Sequence, residues 1–388
     1  MTTPDSTLPL PDAAAQEHSA RVVARVRDEI ASAGGFISFA RYMELVLYAP
    51  ALGYYVAGAR KFGADGDFVT GPELTPLYGA ALARQLEVIL ATTQSREIVE
   101  LGAGSGALAA SLLDELARRG ASPARYRILE VSPALRARQR EALAAWVDGA
   151  GARVEWLDRL PAAIDGVVVM NEVLDAVAPH LVARRGGEWF ERGVTWMGNA
   201  LRFDERPLDD VRVRALAQAR FPPDGDYSSE VNPAAEALVA TVARRVASGA
   251  LMIIDYGFPR HEYYHPQRRE GTLVGHYRHR VHADPFLWPG LSDLTAHVDF
   301  TAMARVGERS GLQVAGFASQ ASLLIGCGIL DRLRAVGPPD SIEYMRAASA
   351  VQRLVSPAEM GDLFKVLLLA RSDAAWPALA VTDMRHRL

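Results

Sequence analysis

One cysteine, Cys327, in 388 residues rules out an internal disulfide and leaves no thiol cluster for a structural zinc. The chain also lacks any uninterrupted apolar span of roughly 18 residues, so no membrane-crossing helix is expected. Its first residues, MTTPDSTLPLPDAAAQEHSA, have neither the basic start nor the apolar block of a secretory signal. A reducing, cytoplasmic setting without membrane insertion is the expectation. A basic stripe is missing as well: 42 Lys and Arg stand against 46 Asp and Glu, mixed along the chain, for a net charge of -4. Without a continuous cationic face little neutralises a phosphate backbone, and nucleic acid is not an expected partner.

What is there is an ordinary globular composition, 49% hydrophobic and 23% charged. Residues 1–18 mix Pro, Asp, Ser and Ala without period and read as a disordered tail. Residues 19–94 read as a helical cap. Val22, Val23, Val26 and Ile30 fall at helical spacing before Gly34-Gly35, and Ser38 caps a second helix that Pro50 ends. From residue 95 to 388, short apolar strands alternate with amphipathic helices, the pattern of a parallel sheet built from βαβ units. Strands are expected at Glu97–Leu101, Tyr126–Val131, Arg153–Leu157, Gly166–Met170 and Ala250–Asp255, with Leu312–Phe317 and an antiparallel Phe364–Ala370 closing the sheet. Insertions interrupt this domain at about 178–230, where tight turns join antiparallel strands, and at about 258–298.

The strongest local signal is Glu100-Leu101-Gly102-Ala103-Gly104-Ser105-Gly106, a strand running into a glycine-rich turn and a helix. Glycines let backbone approach a ligand closely and adopt positive φ, and a helix N-terminus offers N–H groups. Glu130, with Val131 beside it, ends the second strand 28 residues beyond Gly102, where a carboxylate can accept both hydroxyl hydrogens of a ribose. That spacing also suits NAD. S-adenosylmethionine is favoured by Glu100 inside the first strand, by Ala at position 107 where a dinucleotide pattern wants glycine, and by a third polar station, Asn171-Glu172. Asp158, ending the third strand, is placed to meet an adenine amine, or is simply a surface acid. Glu73, with Thr70 and Pro72, is a further candidate, against the plain reading of a helix N-terminal acid. Glu172, Asp175, Glu73 or Glu230 could orient a guanidinium by bidentate hydrogen bonds. His276 and His297 could shape an acceptor channel, although structural hydrogen bonding is the ordinary role. His261, His265, His276, His279 and His282 are irregularly spaced and lack carboxylate or cysteine partners in a recognisable pattern, so no metal is expected.

Several blocks agree in order with one family: Leu52-Gly53-Tyr54-Tyr55, Gly66 to Thr70 with Pro72-Glu73, Glu100 to Gly106, Asn171-Glu172 with Asp175, Asp255-Tyr256-Gly257, Gly271-Thr272-Leu273 and Asp293 to Phe300. Over roughly residues 34–330 the chain resembles the MidA-like family of class I methyltransferases, which includes the mitochondrial complex I assembly protein arginine methyltransferase. The resemblance implies an α/β, Rossmann-like fold with an N-terminal helical cap, S-adenosylmethionine as methyl donor, and protein arginine as the acceptor in its mitochondrial members. It implies a protein substrate, with a complex I subunit as the named case. An S-adenosylmethionine-binding assembly factor of little activity and an NAD-dependent oxidoreductase are the competing readings. Apolar residues in the cap would suit a homodimer. The chain shows no evident mitochondrial presequence, so a bacterial cytoplasm is the expected location.

Overall fold

A computed structural model describes residues 8–57, 70–147, 153–372 and 381–388. The chain divides into two compact units, one of residues 1–68, 175–236 and 260–297, the other of residues 69–174, 237–259 and 298–388.

The second unit is a twisted sheet with helices. Its long strands are β1 (Glu97–Leu101), β2 (Arg125–Leu129), β3 (Arg153–Leu157), β4 (Ile164–Asn171), β5 (Val246–Phe258), β6 (Gln313–Ser319) and β7 (Phe364–Ala370), and the short strand Val298–Asp299 pairs with β5. They lie in the order β6-β7-β5-β4-β1-β2-β3. Pairings from β5 through β4, β1 and β2 to β3 are parallel, while β7 runs antiparallel to both β5 and β6. Strands covered on both faces read as apolar runs, which is why Val167–Met170 and Leu251–Ile254 are so uniform and so fully buried. Helices α1 (Gly71–Leu74), α2 (Leu77–Leu90), α3 (Ala107–Arg118) and α4 (Pro133–Ala142) belong to this unit. Gly79 permits α2 to approach α3, since a Cβ there would sit 2.0 Å from the Ser111 hydroxyl oxygen. Leu82, Leu86, Leu112, Leu116, Val169 and Met252 share one core, each contributing about 1.5–3 kcal/mol by leaving water.

The first unit holds the helices Ala13–Ser32 and Phe39–Tyr48 and an antiparallel sheet of Ile37–Ser38, His180–Arg185, Glu188–Met197, Ala200–Pro207 and Tyr227–Val231. A three-stranded sheet of Val274–Tyr277, Arg280–His282 and Asp293–Thr295 completes it. Val22, Phe39, Tyr42, Leu181, Val194 and Leu294 pack in its core.

Two expectations about organisation change. Helix begins at Ala13, with the Asp12 carboxylate accepting from the Ala15 N–H at 2.8 Å, so residues 13–18 are not a loose tail. The boundary at 94 does not hold either: α1 and α2 belong with the large sheet, and the remaining N-terminal helices join both expected insertions in one unit. Residues 1–7 of the tail and Gly66–Val69 of the Gly66–Thr70 block lie outside the described residues.

Candidate active site

Strand β1, buried along its length, runs into the glycine turn, where Gly102, Gly104 and Gly106 have φ of +65°, +54° and +88°. These values exclude most side chains on backbone grounds. Contact adds to the restriction, because a Cβ at Gly102 would stand 3.3 Å from Val173 and one at Gly106 would stand 3.5 Å from the Gln139 Cα. Ala103 turns its methyl into the core and leaves only backbone for a ligand. The Ser105 hydroxyl donates to the Glu73 carboxylate. Glu73 sits on α1 beside half-buried Thr70 and buried Pro72, so the structure brings this segment to the turn.

Just past β2, Glu130 is 5% exposed. Its Oε1 accepts from the Ser132 N–H at 2.9 Å and its Oε2 from the Gln139 amide at 3.1 Å. Burial raises its pKa, while the hydrogen bonds from Ser132 and Gln139 and the nearby Arg136 work in the opposite direction. Val131 beside it is 74% exposed, an apolar side chain left open next to a buried acid. Asp158 is instead a surface acid, 89% exposed and 2.8 Å from Arg136. These features fit a nucleoside carrying an amino-acid tail: a carboxylate with acceptor capacity for a diol, an apolar neighbour, and a turn whose three glycines bare its backbone.

At the end of β4, Glu172 has φ of +53°, rare outside glycine, and its N–H donates to the Ile254 carbonyl at 2.9 Å. The Asn171 amide donates to Glu172 Oε1 at 3.2 Å, and Asn171 Oδ1 accepts from the Tyr78 hydroxyl at 2.7 Å. Tyr78 thus ties α2 to this acid. The carboxylate of Asp255 accepts from the N–H groups of Leu174 and Tyr256, at 3.0 and 2.9 Å, fixing the turn after Glu172.

Asp175 falls in the first unit, where it is buried and its carbonyl accepts from the Ala296 N–H at 3.0 Å. Glu230, also there, is engaged in holding a loop. Its Oε1 accepts from the Thr272 and Leu273 N–H groups at 2.8 and 3.0 Å, and its Oε2 from Ser229 and Tyr263. Gly271 fits against it because a Cβ would stand 2.2 Å from Oε1. The His297 N–H donates to Thr272 in the same loop, and burial lowers the pKa of His276. No group of three or more metal-ligating side chains forms among the described residues.

Glu100, buried within β1, accepts from the Tyr126 hydroxyl at 2.7 Å, and burial pushes its pKa from 4.5 up to about 7, aided by the charge of Glu130. The folded chain therefore holds this proton more tightly than the unfolded chain. The resulting stability is fully present below pH 4.5 and is lost as pH climbs through about 7, amounting to about 3 kcal/mol. Urea unfolding at pH 5 and pH 8 should accordingly show a smaller pH dependence in Glu100→Gln than in the unaltered protein, by about that amount. An identical dependence in both would remove Glu100 as its source.

Three residues of this constellation, Tyr78, Tyr126 and Gln139, carry no motif signal. Each is a polar group on a buried face, recognisable only once its partner is known.

The comparisons agree with this chemistry. Residues 81–318 match the family model described as "Putative S-adenosyl-L-methionine-dependent methyltransferase". A Burkholderia thailandensis protein solved with S-adenosyl-homocysteine superposes with a TM-score of 0.92 at 48% identity, covering 98% of this chain and all of that one. The mitochondrial protein arginine methyltransferase NDUFAF7 of Danio rerio is 29% identical over 371 residues, 86% of this chain and 83% of the relative. Its Caenorhabditis elegans homologue is 28% identical over 326 residues, 77% and 75% of the two chains. Motif order, sheet topology, the glycine turn and the buried acid after β2 converge with these matches: the chain belongs to the MidA-like family of class I methyltransferases and takes S-adenosylmethionine as its cofactor.

Proposed function

We propose that this methyltransferase acts on an arginine side chain of a partner protein, with Glu172 holding the guanidinium. The observation that carries this reading is the placement of Glu172: a half-buried carboxylate at the carboxyl edge of the central strand, fixed in a left-handed backbone conformation by the Ile254 carbonyl and steadied by Asn171. Open α/β sheets bind ligands at that edge. A guanidinium is planar and permanently charged, and a fixed carboxylate can take two of its N–H groups at once. The names of the 28–29% identical relatives favour the same acceptor. Within the family resemblance a respiratory complex I subunit is the protein we propose, in a bacterial cytoplasm.

In the cofactor site we assign the turn Gly102–Gly106 to the amino-acid tail, Glu130 to the ribose hydroxyls, and Val131 to the base. Glu73, bound to Ser105, braces the turn. When bound, S-adenosylmethionine supplies an electrophilic methyl group on sulfur. The chain's own work is to align the acceptor nitrogen and exclude water, and Glu172 draws the guanidinium charge toward the nitrogens it binds.

Incubating the whole protein with radiolabelled S-adenosylmethionine and a bacterial lysate, then hydrolysing labelled bands to amino acids, should give methylarginine. Label on another amino acid would overturn the arginine assignment. Intact cofactor binding with no labelled protein would favour an assembly role.

A further inference from the structure

Helix α4 is rich in arginine, and the one residue it buries fully is polar: Gln139. Withdrawing an amide from water is costly unless its hydrogen bonds are replaced. Here both donor hydrogens and one acceptor position are satisfied. The Trp156 indole N–H donates to Gln139 Oε1 at 2.9 Å, and Gln139 Nε2 donates to the Gly104 carbonyl at 3.0 Å and to Glu130 Oε2 at 3.1 Å. An indole nitrogen can only donate, so it forces the amide oxygen toward Trp156 and both amide hydrogens toward the other side. One of those hydrogens meets the middle glycine of the turn, the other the acid after β2. A Cβ at Gly106 would stand 3.5 Å from the Gln139 Cα, so the closeness of the third glycine to α4 is part of the same fit.

We infer that Gln139 is a positioning residue for the cofactor: pinned by Trp156, its amide braces the Gly104 carbonyl against the Glu130 carboxylate, fixing the span from amino-acid tail to ribose and keeping Glu130 an acceptor. The inference rests on the assignment of Gly102–Gly106 and Glu130 to S-adenosylmethionine. Charged groups facing Glu130 are Arg136 of α4, which favours its ionised form, and Glu100 of β1, which opposes it. Arg136 is itself tied to Asp158 at 2.8 Å. Without the Gln139 donor the balance at Glu130 moves toward the protonated form, which keeps fewer acceptor directions for a diol.

Calorimetric titration of the whole protein with S-adenosyl-homocysteine, from pH 5.5 to 8.5, tests this in Gln139→Met, Trp156→Phe, the double variant and Glu130→Ala. Gln139→Met should bind about 10- to 100-fold more weakly at pH 7, as expected for losing a hydrogen bond to a charged group. The acid limb of its affinity should move to higher pH. Trp156→Phe should lose less, and the double variant should be no worse than Gln139→Met, because Trp156 acts through Gln139. Wild-type affinity in Gln139→Met, losses that add, or a lowered Tm with an unmoved acid limb would each overturn the inference. Should Gln139→Met fail to fold, the acid limb of Trp156→Phe decides by moving or staying. Glu130→Ala separates the two levels: if it binds normally the site assignment itself fails, whereas loss there with none in Gln139→Met removes Gln139 alone.

Discussion

Glu130→Ala should lose cofactor affinity on the order of 10²- to 10⁴-fold while remaining folded, as read by titration with S-adenosyl-homocysteine beside thermal unfolding. The carboxylate is 5% exposed and is held in one plane by the Ser132 N–H and the Gln139 amide. A carboxylate offers about four acceptor directions, so capacity remains for a vicinal diol. Hydrogen bonds from neutral hydroxyls to a charged acceptor in a largely desolvated site contribute about 1.5–3 kcal/mol each, and two are removed together. Stability changes far less, because opposing effects meet at this position. Alanine strands the Ser132 and Gln139 donors, a loss of about 1–3 kcal/mol each where no water replaces the carboxylate, but it also removes a carboxylate whose ionised form burial disfavours. A variant that melts cooperatively near the unaltered protein and no longer binds is the expected result. Undiminished affinity would remove the ribose from Glu130 and with it the placement of the whole cofactor.

The parts of the molecule legible in the sequence are those whose physics is local. Parallel strands buried on both faces leave apolar runs such as Val167–Met170, and a turn that needs positive φ at Gly102, Gly104 and Gly106 announces itself by its glycines. Tight turns at Gly186-Gly187 and Gly198-Asn199 likewise mark the antiparallel strands between His180 and Pro207. What escaped is what depends on distant partners. Residues 8–57, 175–236 and 260–297 form one unit through contacts between remote segments, and no periodicity records such contacts. Glu230 read as a free acid for a guanidinium, yet the groups it accepts from lie as far off as Thr272 and Leu273. Gln139 sits on a helix that looks solvent-facing from its arginines, and only the positions of Gly104, Glu130 and Trp156 reveal why a glutamine is buried there.

Glu172→Gln should bind S-adenosyl-homocysteine as the unaltered protein does and transfer methyl groups about 10²- to 10³-fold more slowly, measured by single-turnover label transfer to the acceptor. The substitution keeps length and shape, so the N–H to the Ile254 carbonyl and the contact with Asn171 can persist. What changes is charge. A glutamine presents one oxygen and an NH₂ group to a cation that needs two acceptors, so the acceptor loses one hydrogen bond and meets a repelling donor. The strain at this residue sharpens the argument. A φ of +53° costs a glutamate of the order of 1 kcal/mol, and Asn or Gly would meet that backbone more cheaply. A carboxylate kept there against that cost, with Tyr78 and Asn171 engaged in steadying it, is explained by a demand for negative charge at that point. Glu172→Asn relieves the backbone while removing both length and charge. It should therefore melt no lower than the unaltered protein, yet be at least as slow as Glu172→Gln. Turnover at the wild-type rate in either variant would mean that the acceptor is held elsewhere.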